Sequence, residues 1–134
     1  MSLAASAALQ AAVYQALRAD PGLGALVGDA VFDAMPVTAP TGTHVALGPE
    51  DGGARHDFVV SVLSGSEDGG GFGPVKAAAA AVVAALEDGA LTLEHGHLAG
   101  LWFVAARARR SDGGAGRRVD MTFRARIDLG LNAA

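Results

Sequence analysis

His95 and His97 stand two residues apart behind Glu94. Two neutral imidazoles at that spacing on extended backbone could share a metal ion. Such a site needs further ligands, and no motif ties His44 or His56 to the pair. A small intracellular metal-dependent enzyme using the His95/His97 turn therefore stands against solvated turn histidines. Gly69-Gly70-Gly71-Phe72-Gly73 lies between a predicted strand and a predicted helix, where nucleotide loops sit. The G-x-G-x-x-G pattern fails, no Gly-Lys-Ser/Thr follows, Pro74 removes a backbone donor, and Glu67 and Asp68 would repel a phosphate. The segment reads instead as a flexible contact loop carrying Glu67, Asp68 and Phe72, ordered by a partner. There is no cysteine and no G-x-S-x-G elbow. The pairs Glu50-Asp51, Glu67-Asp68 and Glu87-Asp88 fall in loops or at a helix end, as solvated charges. No catalytic residue, metal ligand or cofactor is assigned.

The second constellation is basic. Arg107, Arg109, Arg110, Arg117 and Arg118 cluster near one predicted turn, and Arg124 and Arg126 follow. Clustered arginine can neutralise phosphates, but only one aromatic, Trp102, lies near, and the chain as a whole is acidic. Docking to an acidic protein surface or to the acidic part of a neighbouring copy is one alternative. A solvated hairpin end with weak ion pairs is the other. Trp102 sits on a strand whose two faces are both apolar. Either a helix covers it, or it belongs to a subunit interface, where aromatic anchors concentrate.

Helices and strands must position these groups. Residues 2–18 read as a helix, with Leu9, Val13 and Leu17 four apart and Ser2 as cap. Asp20-Pro21 starts a second, short helix that stops at Gly28. Residues 30–35 and 44–47 read as strands and 48–55 as a turn. Residues 57–64 read as a central strand. The helix over 74–88 carries the stripe Val75, Ala79, Val82, Val83, Leu86, and a short strand covers 91–93. The last third is a hairpin, 98–110 and 117–129, around SDGGAG. In its second arm Val119, Met121, Phe123, Ala125, Ile127 and Leu129 face the core. In its first arm Leu101, Phe103 and Ala105 form one face and Trp102, Val104 and Ala106 the other. At about 13 residues, or ~40 Å, per arm, the tip should project beyond the helix layer. The order predicts an α+β fold: a mostly antiparallel sheet with a long C-terminal β-hairpin and two main helices packed on one face, in a single domain over 1–134.

Composition agrees with one small domain. Of 134 residues, 30 are alanine and 19 glycine, so the core lacks bulk and assembly would help it. Residues 1–106 carry a net charge of −8 and residues 107–134 a net charge of +4. No run approaches the ~20 apolar residues of a membrane span, and the start lacks a basic n-region. A soluble intracellular protein is the expectation.

Taken in order, the phrases resemble the tail terminator (tail completion) proteins of long-tailed phages and of phage-like gene transfer agents. They are Leu9-Gln10-x-x-Val13-Tyr14-x-x-Leu17, Leu26-Val27-Gly28, Val31-Phe32-Asp33-Ala34-Met35-Pro36, Val45-Ala46-Leu47-Gly48 with its acidic turn, and Phe58-Val59-Val60-Ser61-Val62. A glycine-rich loop, the helix over 75–86 and the arginine-rich hairpin complete the series. The loop over 65–73 is longer and richer in glycine than the resemblance leads one to expect, and no tryptophan lies near Leu63. The resemblance implies a structural virion protein without catalysis. It implies a homo-hexameric ring that caps the head-proximal end of the tail tube, stops tube polymerisation and joins the tail to a head-completion or stopper protein. DNA would pass through the channel without sequence-specific recognition. The protein would be assembled in the bacterial cytoplasm and reside at the head–tail junction. Trp102, Arg107, Arg109, Arg110, Arg117, Arg118, Arg124 and Arg126 would be the subunit or partner contacts.

Overall fold

Leu9, Val13 and Leu17 fall on one side of helix α1 (Leu3–Ala19), where all three are buried. The computed structural model describes residues 3–38, 40–51, 55–65, 71–88, 91–94, 96–111 and 114–128, so Ser2 lies outside it. Helix α2 (Pro21–Val27) starts as its sequence dictates. The Asp20 carboxylate accepts a hydrogen bond from the Leu23 N–H at 2.9 Å, and Pro21 occupies the first turn, where a backbone donor would have no partner. The helix ends at Gly28, whose φ of 61° favours a residue without Cβ. Helix α3 (Gly73–Asp88) buries Val75, Ala78, Ala79, Val82, Ala85 and Leu86. Among the described residues no helix is long and apolar enough to cross a membrane.

Five strands follow: β1 (Val31–Phe32), β2 (His44–Asp51), β3 (Arg55–Ser64), β4 (His97–Ser111) and β5 (Gly116–Asp128). They form one sheet in the order β1-β2-β3-β5-β4. β1 runs parallel to β2, and every other neighbouring pair is antiparallel. All three helices bury their apolar residues in one cluster with alternate residues of β3 and β5: Phe58, Val60 and Val62 against Val119, Met121, Phe123 and Ala125. The α+β architecture is as expected, including the alternation of β5 from Val119 to Ile127; Leu129 lies outside the described residues.

Four local expectations are corrected. Of residues 30–35 only Val31 and Phe32 pair, with Val45 and Ala46, because the chain bends away before Pro36, which cannot donate. Residues 48–55 are not simply a turn. β2 runs on to Asp51 and β3 begins at Arg55, with a bulge between Leu47 and Glu50 that takes up Gly48 and Pro49. Pro49 is tolerated because β1 covers only Val45 and Ala46, leaving this part of β2 as a free edge that needs no further donor. Residues 91–93 form no strand; the segment places Leu93 in the core without joining the sheet. As far as its described residues go, the hairpin does not outrun the helix layer: β5 stays paired with β3 up to Arg117↔Ser64, and Phe72, beside the start of α3, packs with its ring centroid 5.4 Å from the Arg117 guanidinium.

Candidate assembly surface

Register turns the sheet into cross-strand rows. On the helix side Phe58, Phe123 and Phe103 line up across β3, β5 and β4. Phe58 stacks on Phe123 at 5.6 Å between centroids, and Phe103 meets Phe123 edge-on at 5.9 Å. His56 heads the neighbouring row, almost fully buried, and its Nδ1 has no hydrogen-bond partner among the described residues.

The opposite face carries the charge. Ser61, Asp120 and Arg107 share one row, Leu63, Arg118 and Arg109 the next, and Asp57, Arg124 and Trp102 a third. Asp120 is the hub. Its Oδ1 accepts from Ser61 Oγ at 2.6 Å and Arg118 Nη2 at 2.7 Å, and its Oδ2 accepts from Arg109 Nε at 3.1 Å. Burial alone would push its carboxyl up, but the hydrogen bonds from Arg118, Ser61 and Arg109 together hold it below the usual range. Asp57 is held down chiefly by its hydrogen bond to Arg124.

The tip arginines do not form one cluster. β4 carries two register shifts, between Leu98 and Gly100 and between Phe103 and Ala105. The second puts an extra residue, Val104, into the strand, and each bulge reverses which residues face which way. Beyond it Ala106 pairs with Met121 and Ala108 with Val119, on the helix side. The expected grouping of Leu101, Phe103 and Ala105 therefore breaks at Val104, and Ala105 pairs with Thr122 on the solvent side. Arg107, Arg109 and Arg118 share the solvent side with Arg124 and Arg126, whereas Arg110 pairs with Arg117 on the helix side. Arg117 is spent internally. It donates to the carbonyls of Gly114 and Gly116 at 2.7 and 3.0 Å, and its guanidinium lies 5.4 Å from the Phe72 ring centroid. Phe72 is half-buried and also meets the Lys76 ammonium at 5.6 Å, so it clamps the start of α3 to the hairpin. Glu67 and Asp68 lie outside the described residues.

No helix covers Trp102 among the described residues. It is 41% exposed, Phe103 36% and Val104 40%, on a strand whose outer side has no neighbour. The indole lies over Gly100, where an added Cβ would come within 2.6 Å of the ring. His97 is exposed at the start of β4, and His95 lies outside the described residues. The residues that sequence reading missed are Asp57, Ser61 and Asp120. Their only signal was opposite charge on predicted strands, with no register to join them.

Comparison with known proteins accords with this architecture. A search of curated proteins finds no match. Among solved structures, a chain of the "Virion of native gene transfer agent (GTA) particle" is 51% identical, with a TM-score of 0.85, over 95% of this chain and 99% of that one. The family model described as tail completion protein gp17 matches residues 11–128. That span runs from the middle of α1 to the last residue of β5, and the chain belongs to the tail completion protein gp17 family.

Proposed function

We propose that the protein is a structural, non-catalytic tail component that acts as a hexameric ring. The ring caps the head-proximal end of the tail tube, ends tube growth and joins the tail to the head-completion or stopper protein. DNA passes through its channel without sequence-specific recognition. Assembly takes place in the bacterial cytoplasm, and the ring resides in a phage or gene-transfer-agent particle at the head–tail junction. The observation that carries this reading is the family match over 11–128. The virion chain that shares 51% of its residues supports it. So does β4, a 15-residue strand at the sheet edge with Trp102, Phe103 and Val104 uncovered, which a lone subunit leaves exposed.

Removing the gene and imaging the particles tests the function. Heads without joined tails, or tails of uncontrolled length, are expected, with recovery on complementation. Normal particles would end the reading. Mass measurement in solution and within particles tests the ring: six subunits in either setting supports it, and a monomer in both refutes it. Stoichiometric metal in the purified protein would instead favour the enzyme reading at His95 and His97.

A further inference from the structure

The two edges of the sheet differ in charge. On the β4 edge, the exposed apolar residues Trp102, Phe103 and Val104 are followed by Arg107 and Arg110, both exposed. At the other edge, exposed Asp29 and Asp33 flank β1, which covers only Val45 and Ala46 of β2. Arg18 also reaches this edge, but its guanidinium is held by the Tyr14 hydroxyl at 3.0 Å and the Val31 carbonyl at 3.5 Å. Next to Asp33, whose carbonyl accepts from Gln10 Nε2 at 3.4 Å, a shallow crevice of about 60 Å³ is lined by Leu9, Gln10, Val13, Leu47 and Phe58. One edge thus presents an apolar run followed by cations, and the other an apolar crevice followed by anions.

We infer that the β4 edge of one copy docks on the β1–β2 edge of the next, with Trp102–Val104 set toward the crevice and Arg107 and Arg110 toward the acidic residues. The inference rests on the ring proposed above and names its contact. A second copy is the occupant because the complementary edges belong to one sheet, so every subunit carries both halves. Such a contact is heterologous, and repeated with a fixed rotation it closes a ring. It also covers the long exposed edge strand that a monomer leaves open.

Charge reversal tests it. The first variant is Arg107→Glu with Arg110→Glu, and the second is Asp29→Lys with Asp33→Lys. Neither touches the Asp120 network. Each variant alone has two like-charged edges and should lose assembly affinity by about tenfold or more. Mixed in equal amounts, they should recover rings in which the two variants alternate, since each edge then meets its opposite and six is even. Mass photometry reads the purified proteins. Coproduction in cells lacking the native gene, with counting of tailed particles, reads assembly that occurs only in the particle.

Melting curves of the variants matching the unmodified protein establish that they fold. If a reversal unfolds the chain, Arg107→Ala/Arg110→Ala and Asp29→Asn/Asp33→Asn replace it, each expected to weaken the ring and its salt dependence. Variants that assemble like the unmodified ring, or a mixture that recovers nothing, would overturn the edge contact and leave the ring standing. An unmodified protein that is monomeric in solution and in particles would remove the ring itself.

Discussion

Arg124 on β5 grips Asp57 on β3 with two parallel hydrogen bonds, Nε to Oδ1 at 2.8 Å and Nη2 to Oδ2 at 3.1 Å. The pair bridges residues 67 apart in sequence and lies on the face that the helices leave open. With the Asp120 hub it ties β3, β5 and β4 together from the solvent side, while the phenylalanine row ties them from the core side.

These two carboxylates set an acid limit to stability. Asp57 and Asp120 are both held below the ordinary carboxylate value in the folded protein. Their contribution is present above the unfolded-state pKa, ~4, and is lost as pH falls through the lower folded values. Urea midpoints should therefore fall below about pH 4, and Asp57→Asn with Asp120→Asn should flatten that acid limb. An unchanged slope would show that other carboxylates carry it.

Asp120→Ala removes the common acceptor of Ser61, Arg118 and Arg109. Asp120 is part-exposed, so screening limits the loss to about 1–2 kcal/mol in equilibrium unfolding. A cycle with Arg118→Ala should show coupling, whereas a cycle with Arg107→Ala should show little.

Phe123→Ala opens the centre of the aromatic row, where Phe58 stacks and Phe103 abuts. A loss of about 3–5 kcal/mol is expected, larger than for any surface arginine. Thermal or chemical denaturation measures it directly.

The seat of Trp102 can be read optically, because it is the sole tryptophan. Gly100→Ala places a methyl within 2.6 Å of the indole and should displace the ring, shifting its fluorescence. Trp102→Ala should scarcely change the melting of the monomer, since the side chain is 41% exposed, but should weaken rings at low concentration. Rings that persist unchanged would mark Trp102 as an internal residue.

Much of the fold is legible in the chain because local rules decide it. Leu9, Val13 and Leu17 repeat at helical spacing, Asp20-Pro21 starts α2, Gly28 ends it, and β5 alternates without interruption. Each of these depends on neighbours a few residues away. The site was legible only as composition: seven arginines near the C-terminus and one tryptophan on a strand with two apolar faces. Which arginine faces where depends on a bulge at Val104, and nothing in Trp102-Phe103-Val104-Ala105 marks the residue that drops out of register. Asp120 likewise gives no sign of holding Ser61, 59 residues before it.

The sequence by itself determined the helices, the alternating strand, the α+β class and the resemblance to tail completion proteins, because periodicity, capping and turn chemistry are short-range effects. Only the tertiary structure decided the rest. Strand order and register divided the arginines between two faces, spent Arg117 on Phe72 and the turn, and joined Asp57 to Arg124. They also turned the charge imbalance along the chain into a difference between the two edges of one sheet. Those outcomes depend on which distant strands lie side by side, and pairing across a sheet is settled by packing of the whole rather than by any local stretch.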